Sequence, residues 1–138
     1  MVDLIDSKGI TTIRGCRPSL RYQRYFDVCN RKYFENSIGP TWVYTAPMLK
    51  ITSLSQKQAK DEKNWAEAGM YGITGIDEAG NQCIILDKGT CVFHSILAKQ
   101  TTLHESIHLY LGLKYGHGRL FKAQIRRIAA LGAFDNLI

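Results

Sequence analysis

With 138 residues the chain is long enough to bury one hydrophobic core without disulfide staples, and its 45% apolar and 22% charged content excludes a disordered or collagenous chain. Eighteen Lys plus Arg against 12 Asp plus Glu leave a net charge of +6, which favours polyanions such as nucleic acid as partners without identifying one. No apolar run approaches the roughly 20 residues that span a bilayer, and the start MVDLIDSKGI lacks the basic flank and apolar stretch of a secretory signal; one domain over 1–138, acting inside the cell in the cytoplasm or at the nucleoid, is expected.

Pro18 suits the first turn of a helix, and Tyr22, Phe26, Cys29 and Tyr33 follow as one apolar stripe, so the spacing predicts a helix over about 18–35. Arg21, Arg24, Arg31 and Lys32 fall on its other positions and read as a solvated face. After the break at Gly39-Pro40, TWVYTAPMLKI is rich in residues that suit a pleated surface, with Pro47 arguing for an edge or a bulge. The polar stretch SLSQKQAKDEKNWAEAG is open between a short helix and an insertion over about 52–67.

MYGITGI and QCIILDK, separated by Asp77-Glu78-Ala79-Gly80-Asn81, predict a hairpin with a loop of about five residues. Helical period returns over about 95–113, ending near Gly112 or Gly116. A last helix over about 119–131 places Leu120, Ile125, Ile128 and Leu131 inward. The expected architecture is α+β: an N-terminal helix, a small three-stranded, mainly antiparallel sheet, a motif-bearing helix and a C-terminal helix. Cys16, Cys29, Cys83 and Cys91 contain no C-x-x-C pair, which excludes a zinc ribbon or thioredoxin-type motif and leaves buried thiols as the expectation.

Residues 104–108 read His-Glu-Ser-Ile-His inside the helical segment, the H-E-x-x-H pattern. Side chains at i and i+4 project from one face about a turn apart, so His104 and His108 can reach one tetrahedral zinc. Glu105 stands about 100° around the helix from His104, where it can accept a proton from a water without becoming a ligand. From 4 His and 5 Glu in 138 residues the chance expectation is ~0.004, so coincidence is a weak competitor. Thr102 and Glu105 also stand in the S/T-x-x-E relation of a capping box, against which Ile96, Leu97 and Leu103 place the helix start earlier.

A catalytic zinc takes three protein ligands and keeps a position open. His117, between Gly116 and Gly118, is the third ligand of choice, because a helix ending near Gly112 or Gly116 lets the chain swing an imidazole back toward the metal. Asp135, the only acid after Glu105, is the weaker candidate, and His94 reads as structural or solvated. Tyr115 and Arg119 are near enough in sequence to His117 to serve an oxyanion. Arg119, Lys122 and Arg126 form a basic stripe on the last helix, a candidate DNA contact.

Beyond the motif, Tyr33-Phe34 at a helix end, Ile38-Gly39-Pro40 leading to Val43, Ala68-Gly69-Met70-Tyr71-Gly72, Ile84-Ile85-Leu86, the H-E-x-x-H helix and His117-Gly118-Arg119-Leu120-Phe121 occur in that order. Over roughly 20–132 this resembles the SprT-like (Spartan-type) zinc metalloproteases, whose H-G-x-x-F segment carries the third metal ligand. The resemblance implies a zincin fold, Zn2+ held by His104, His108 and His117, Glu105 as catalytic base, and hydrolysis of peptide bonds in DNA-associated proteins. A substrate strand along QCIILDK as a sheet edge is the corresponding binding expectation. The competing reading is a non-catalytic nucleic-acid-binding or adaptor protein that keeps a zincin fold and a structural zinc; Glu105, which a structural site does not need, separates the two.

Overall fold

Ser19, not Pro18, starts the first helix: its Oγ accepts the Tyr22 N–H at 3.3 Å, while Pro18 pairs in a short strand. In this computed structural model, which describes residues 2–6, 9–47, 71–113 and 116–135, there are six strands: β1 (Val2–Asp6), β2 (Gly9–Ile13), β3 (Arg17–Pro18), β4 (Thr41–Ala46), β5 (Gly72–Ile76) and β6 (Gln82–Asp87). The described helices are α1 (Leu20–Phe34), α2 (Lys88–Phe93), α3 (Ser95–Leu111) and α4 (Arg119–Ala130). The undecided stretch 52–67 and Ala68-Gly69-Met70 lie outside the described residues. No helix of the described residues is long and apolar enough to cross a membrane.

The strands form one mixed sheet in the order β2-β1-β5-β6-β4-β3, with β4 and β6 parallel and the other pairs antiparallel. This overturns the small three-stranded, mainly antiparallel sheet expected from the sequence. The N-terminal VDLID and GITTI segments pair as a hairpin, and Arg17-Pro18 adds a further short strand. The segment QCIILDK is not an edge either, because β6 lies between β5 and β4. Its Cys83, Ile84, Ile85 and Leu86 are all buried, a continuous apolar run that fits a strand covered on both faces.

Chain connection forces this sheet to curl. Strands at the two ends of a flat six-stranded sheet stand roughly 24 Å apart. The link from β2 to β3 runs only from Ile13 to Arg17, which spans about 14 Å at full stretch. Inside the curl Leu4, Ile13, Ala46, Cys83 and Ile85 make an apolar cluster. The opposite face carries Val43, Ile84 and Leu86 against α1, α3 and α4 through Tyr22, Phe26, Cys29, Leu103, Ile107 and Ile128. On this side the Gln23 amide braces β4, donating to the Thr41 carbonyl at 3.0 Å and accepting from the Val43 N–H at 2.9 Å. The four cysteines are free thiols, with Cys29, Cys83 and Cys91 buried and Cys16 half-buried.

In α4 the inward direction is set by Phe121 and Ile128, with Ile125 partly buried beside them. Leu120 and Leu131 are 51% and 56% exposed, so the sequence assignment of both to the core is wrong. At 100° per residue they fall roughly 80° to the side of the Phe121–Ile128 direction, on the shoulder of the helix.

Candidate metal centre

Helix α3 lies across β5 and β6, with Leu103 and Ile107 turned into the core. That anchoring directs His104 and His108, one turn apart, toward α4, both half-buried. Thr102 is an interior helix residue whose hydroxyl donates to the Ala98 carbonyl at 2.8 Å, not a cap. The helix stops at Gly112, whose N–H reaches the His108 carbonyl at 2.9 Å and whose φ of +108° suits glycine. The chain then returns so that His117 stands just before α4, with Gly118 as its N-terminal cap residue.

The three imidazoles converge on one point. Nε2 of His104 is 2.9 Å from Nε2 of His117 and 3.2 Å from Nε2 of His108, and the last pair is 3.0 Å apart. A neutral imidazole presents at Nε2 either a hydrogen or a lone pair, never both. In a triangle of such atoms at least one pair must therefore be donor against donor or acceptor against acceptor. A single cation facing three lone pairs removes that conflict. Burial, and then His108 and His117 beside it, lower the His104 pKa to about 3, keeping the ring neutral. His104, His108 and His117 would hold such an ion through their Nε2 atoms. The donor set thus fits a metal ion, and among the described residues it is the one such cluster.

Phe121 packs against all three imidazoles. Its ring centroid lies 4.8 Å from those of His104 and His108 and 4.9 Å from that of His117, and it is buried. One aromatic plate touching all three imidazoles restricts their ring orientations, which a metal site needs in its supporting shell.

Glu105 is 4% exposed, and among the described residues it is the one carboxylate, histidine, lysine or arginine side chain that is buried. Its Oε2 accepts the Thr74 hydroxyl at 3.0 Å. Burial pushes its carboxyl up to about 7, with the Thr74 hydrogen bond opposing the shift. Holding a carboxyl in the interior costs stability unless it is paired, and such strained groups collect at functional sites.

The structure separates the remaining candidates. His94 is exposed between α2 and α3, and Asp135 is exposed after α4; neither joins the histidine cluster. Arg119 is exposed at the start of α4, and Tyr115 lies outside the described residues. Arg119, Lys122 and Arg126 are all exposed. Thr74 and Phe121 were assigned no role from sequence. Phe121 stands four residues after His117, so a motif-following aromatic was a usable signal; the reach of Thr74 depends on how β5 meets α3 and has no local signature.

No protein-family model, curated protein or solved structure matches this chain.

Proposed function

We propose that the chain is a zinc-dependent metalloendopeptidase of the SprT-like kind its motifs resemble, acting inside the cell on DNA-associated proteins. The observation that supports this most is the His104, His108 and His117 Nε2 triangle, 2.9–3.2 Å on each side, with two of its members carried on the same helix as the buried carboxyl of Glu105. Three imidazole nitrogens match the common ligand count of a catalytic zinc. When bound, zinc supplies a Lewis acid that polarises a carbonyl and acidifies water.

The residues of the chain do the rest. Glu105 takes the proton of the attacking water and returns it to the leaving amine, a role that needs a carboxyl poised near neutral pH; burial moves it in that direction. Phe121 keeps the imidazoles in register. Arg119, Lys122 and Arg126, exposed on α4 after His117, hold DNA phosphates on the solvent side of that helix.

The test is metal analysis with a protease assay on a DNA-bound protein, using wild type and Glu105→Gln. The expected result is one zinc per chain in both proteins, with turnover lower in the variant by roughly 10²–10⁴-fold. Equal turnover in both would remove Glu105 from the chemistry, whereas zinc bound with no turnover in either would leave a structural zinc.

A further inference from the structure

The site above uses one oxygen of Glu105 as a base and leaves open what decides which oxygen. Thr74 and Gly72 project from the same face of β5, two residues apart, toward α3. At Gly72 an added Cβ would stand 2.7 Å from Thr101 Cγ2 and 3.5 Å from Glu105 Cγ. Helix and strand therefore approach at a distance that glycine permits, and this brings Glu105 within reach of the next inward side chain. That side chain is Thr74, 7% exposed, whose hydroxyl donates to Glu105 Oε2 at 3.0 Å. Threonine is branched at Cβ and stiff about χ1, so the donor is held in place, and a carboxylate locked on one oxygen has lost its freedom to rotate.

We propose that Thr74 is a positioning residue for Glu105: its hydroxyl occupies Oε2 and reserves Oε1 for proton transfer. The inference rests on the peptidase reading above. In it, the water proton passes to Oε1 as the water oxygen bonds to the carbonyl carbon. The same proton then leaves Oε1 for the amine nitrogen as the C–N bond breaks. Glu105 returns to a carboxylate, and Thr74 keeps its own proton throughout.

Thr74→Val keeps shape and removes the donor, Thr74→Ser keeps the donor, and Thr74→Ala is a second donor-free form should valine prevent folding. With zinc content equal to wild type, the donor-free variants should lose roughly 10- to 100-fold in kcat, the range seen when an orienting partner is removed, with KM little changed and Ser restoring most of kcat. A second readout needs no activity. In the metal-free protein, Thr74→Val should raise the unfolding equilibrium constant roughly 5- to 150-fold more with Glu105 present than in a Glu105→Ala background, as for a buried polar group left without its partner. An active wild type alongside a fully active Thr74→Val overturns the inference alone. Absence of coupling in the stability cycle overturns it as well, and a wild type without turnover on any protein substrate overturns both the inference and the peptidase reading.

Discussion

Inside the curl of the sheet, Leu4, Ile13, Ala46, Cys83 and Ile85 bury apolar surface with no side-chain charge among them. On the opposite face α3 buries Glu105 and brings His104 and His108 to His117. The first arrangement stabilises the fold through removal of apolar area from water. The second places a carboxyl where desolvation opposes its charge and lone pairs where they conflict without a cation. Both faces thus bury apolar surface, but only the helix-covered one also carries groups whose burial opposes stability, and substitutions on the two should be separable by what they change.

The largest effect belongs to the imidazoles. His117→Ala or His108→Ala should abolish zinc binding and turnover together, as should a chelator applied to wild type. Zinc at 100 times its Kd should raise wild-type stability by about 2.7 kcal/mol. The same addition should leave His117→Ala unmoved, and denaturant melts with and without the metal measure this. A His117→Ala protein that still binds one zinc per chain would dissolve the comparison by moving the ligand set elsewhere.

Leu4→Ala tests the other face. Leu4 is fully buried in the curl, and truncating such a leucine costs about 2–5 kcal/mol in transfer and cavity terms. Zinc content and kcat per folded molecule should stay at the wild-type level, because the affected cluster lies across the sheet from α3. A loss of kcat proportionately greater than the loss of folded protein would show that the two faces are coupled.

How much of this was legible follows from the range over which each feature is determined. His104, Glu105 and His108 could be placed because helical spacing alone sets their relation. His117 could be chosen because Gly112 permits the reversal, and it does so with a φ of +108°. The strand arrangement was harder. Pairing β4 with β6 in parallel requires the chain to pass β6's position before filling it, which no local pattern encodes. Two local signals do exist: the unbroken Cys83-Ile84-Ile85-Leu86 run of a central strand, and the alternation in Val2-Asp3-Leu4, which pairs with Ile13, Thr12 and Thr11 across the hairpin. In α4, Leu120 looked inward by hydrophobicity alone, whereas packing on the three imidazoles turned Phe121 in. Thr74 belongs to a different class, since its role exists only where β5 and α3 meet.

The smallest expected effect lies outside both faces, on the solvent side of α4. Arg119, Lys122 and Arg126 are exposed and fall within about 60° of arc at 100° per residue. They point away from Phe121 and Ile128, which pack inward, so none of them contributes to either core. Replacing all three by alanine should change stability by no more than about 0.5 kcal/mol, as for ordinary surface positions, and should leave zinc content intact. DNA affinity is the quantity that should move. Three phosphate contacts give a slope of log affinity against log salt of roughly −2 to −3, on a duplex or a single strand. The triple variant should lose that component, so its deficit is large in dilute salt and shrinks as salt rises. Base sequence should matter little to either protein, because phosphate contacts position without reading bases. Titrations at two salt concentrations suffice: an unchanged slope in the triple variant would take DNA away from this helix face, while the metal centre on the other side of α4 would stand as before.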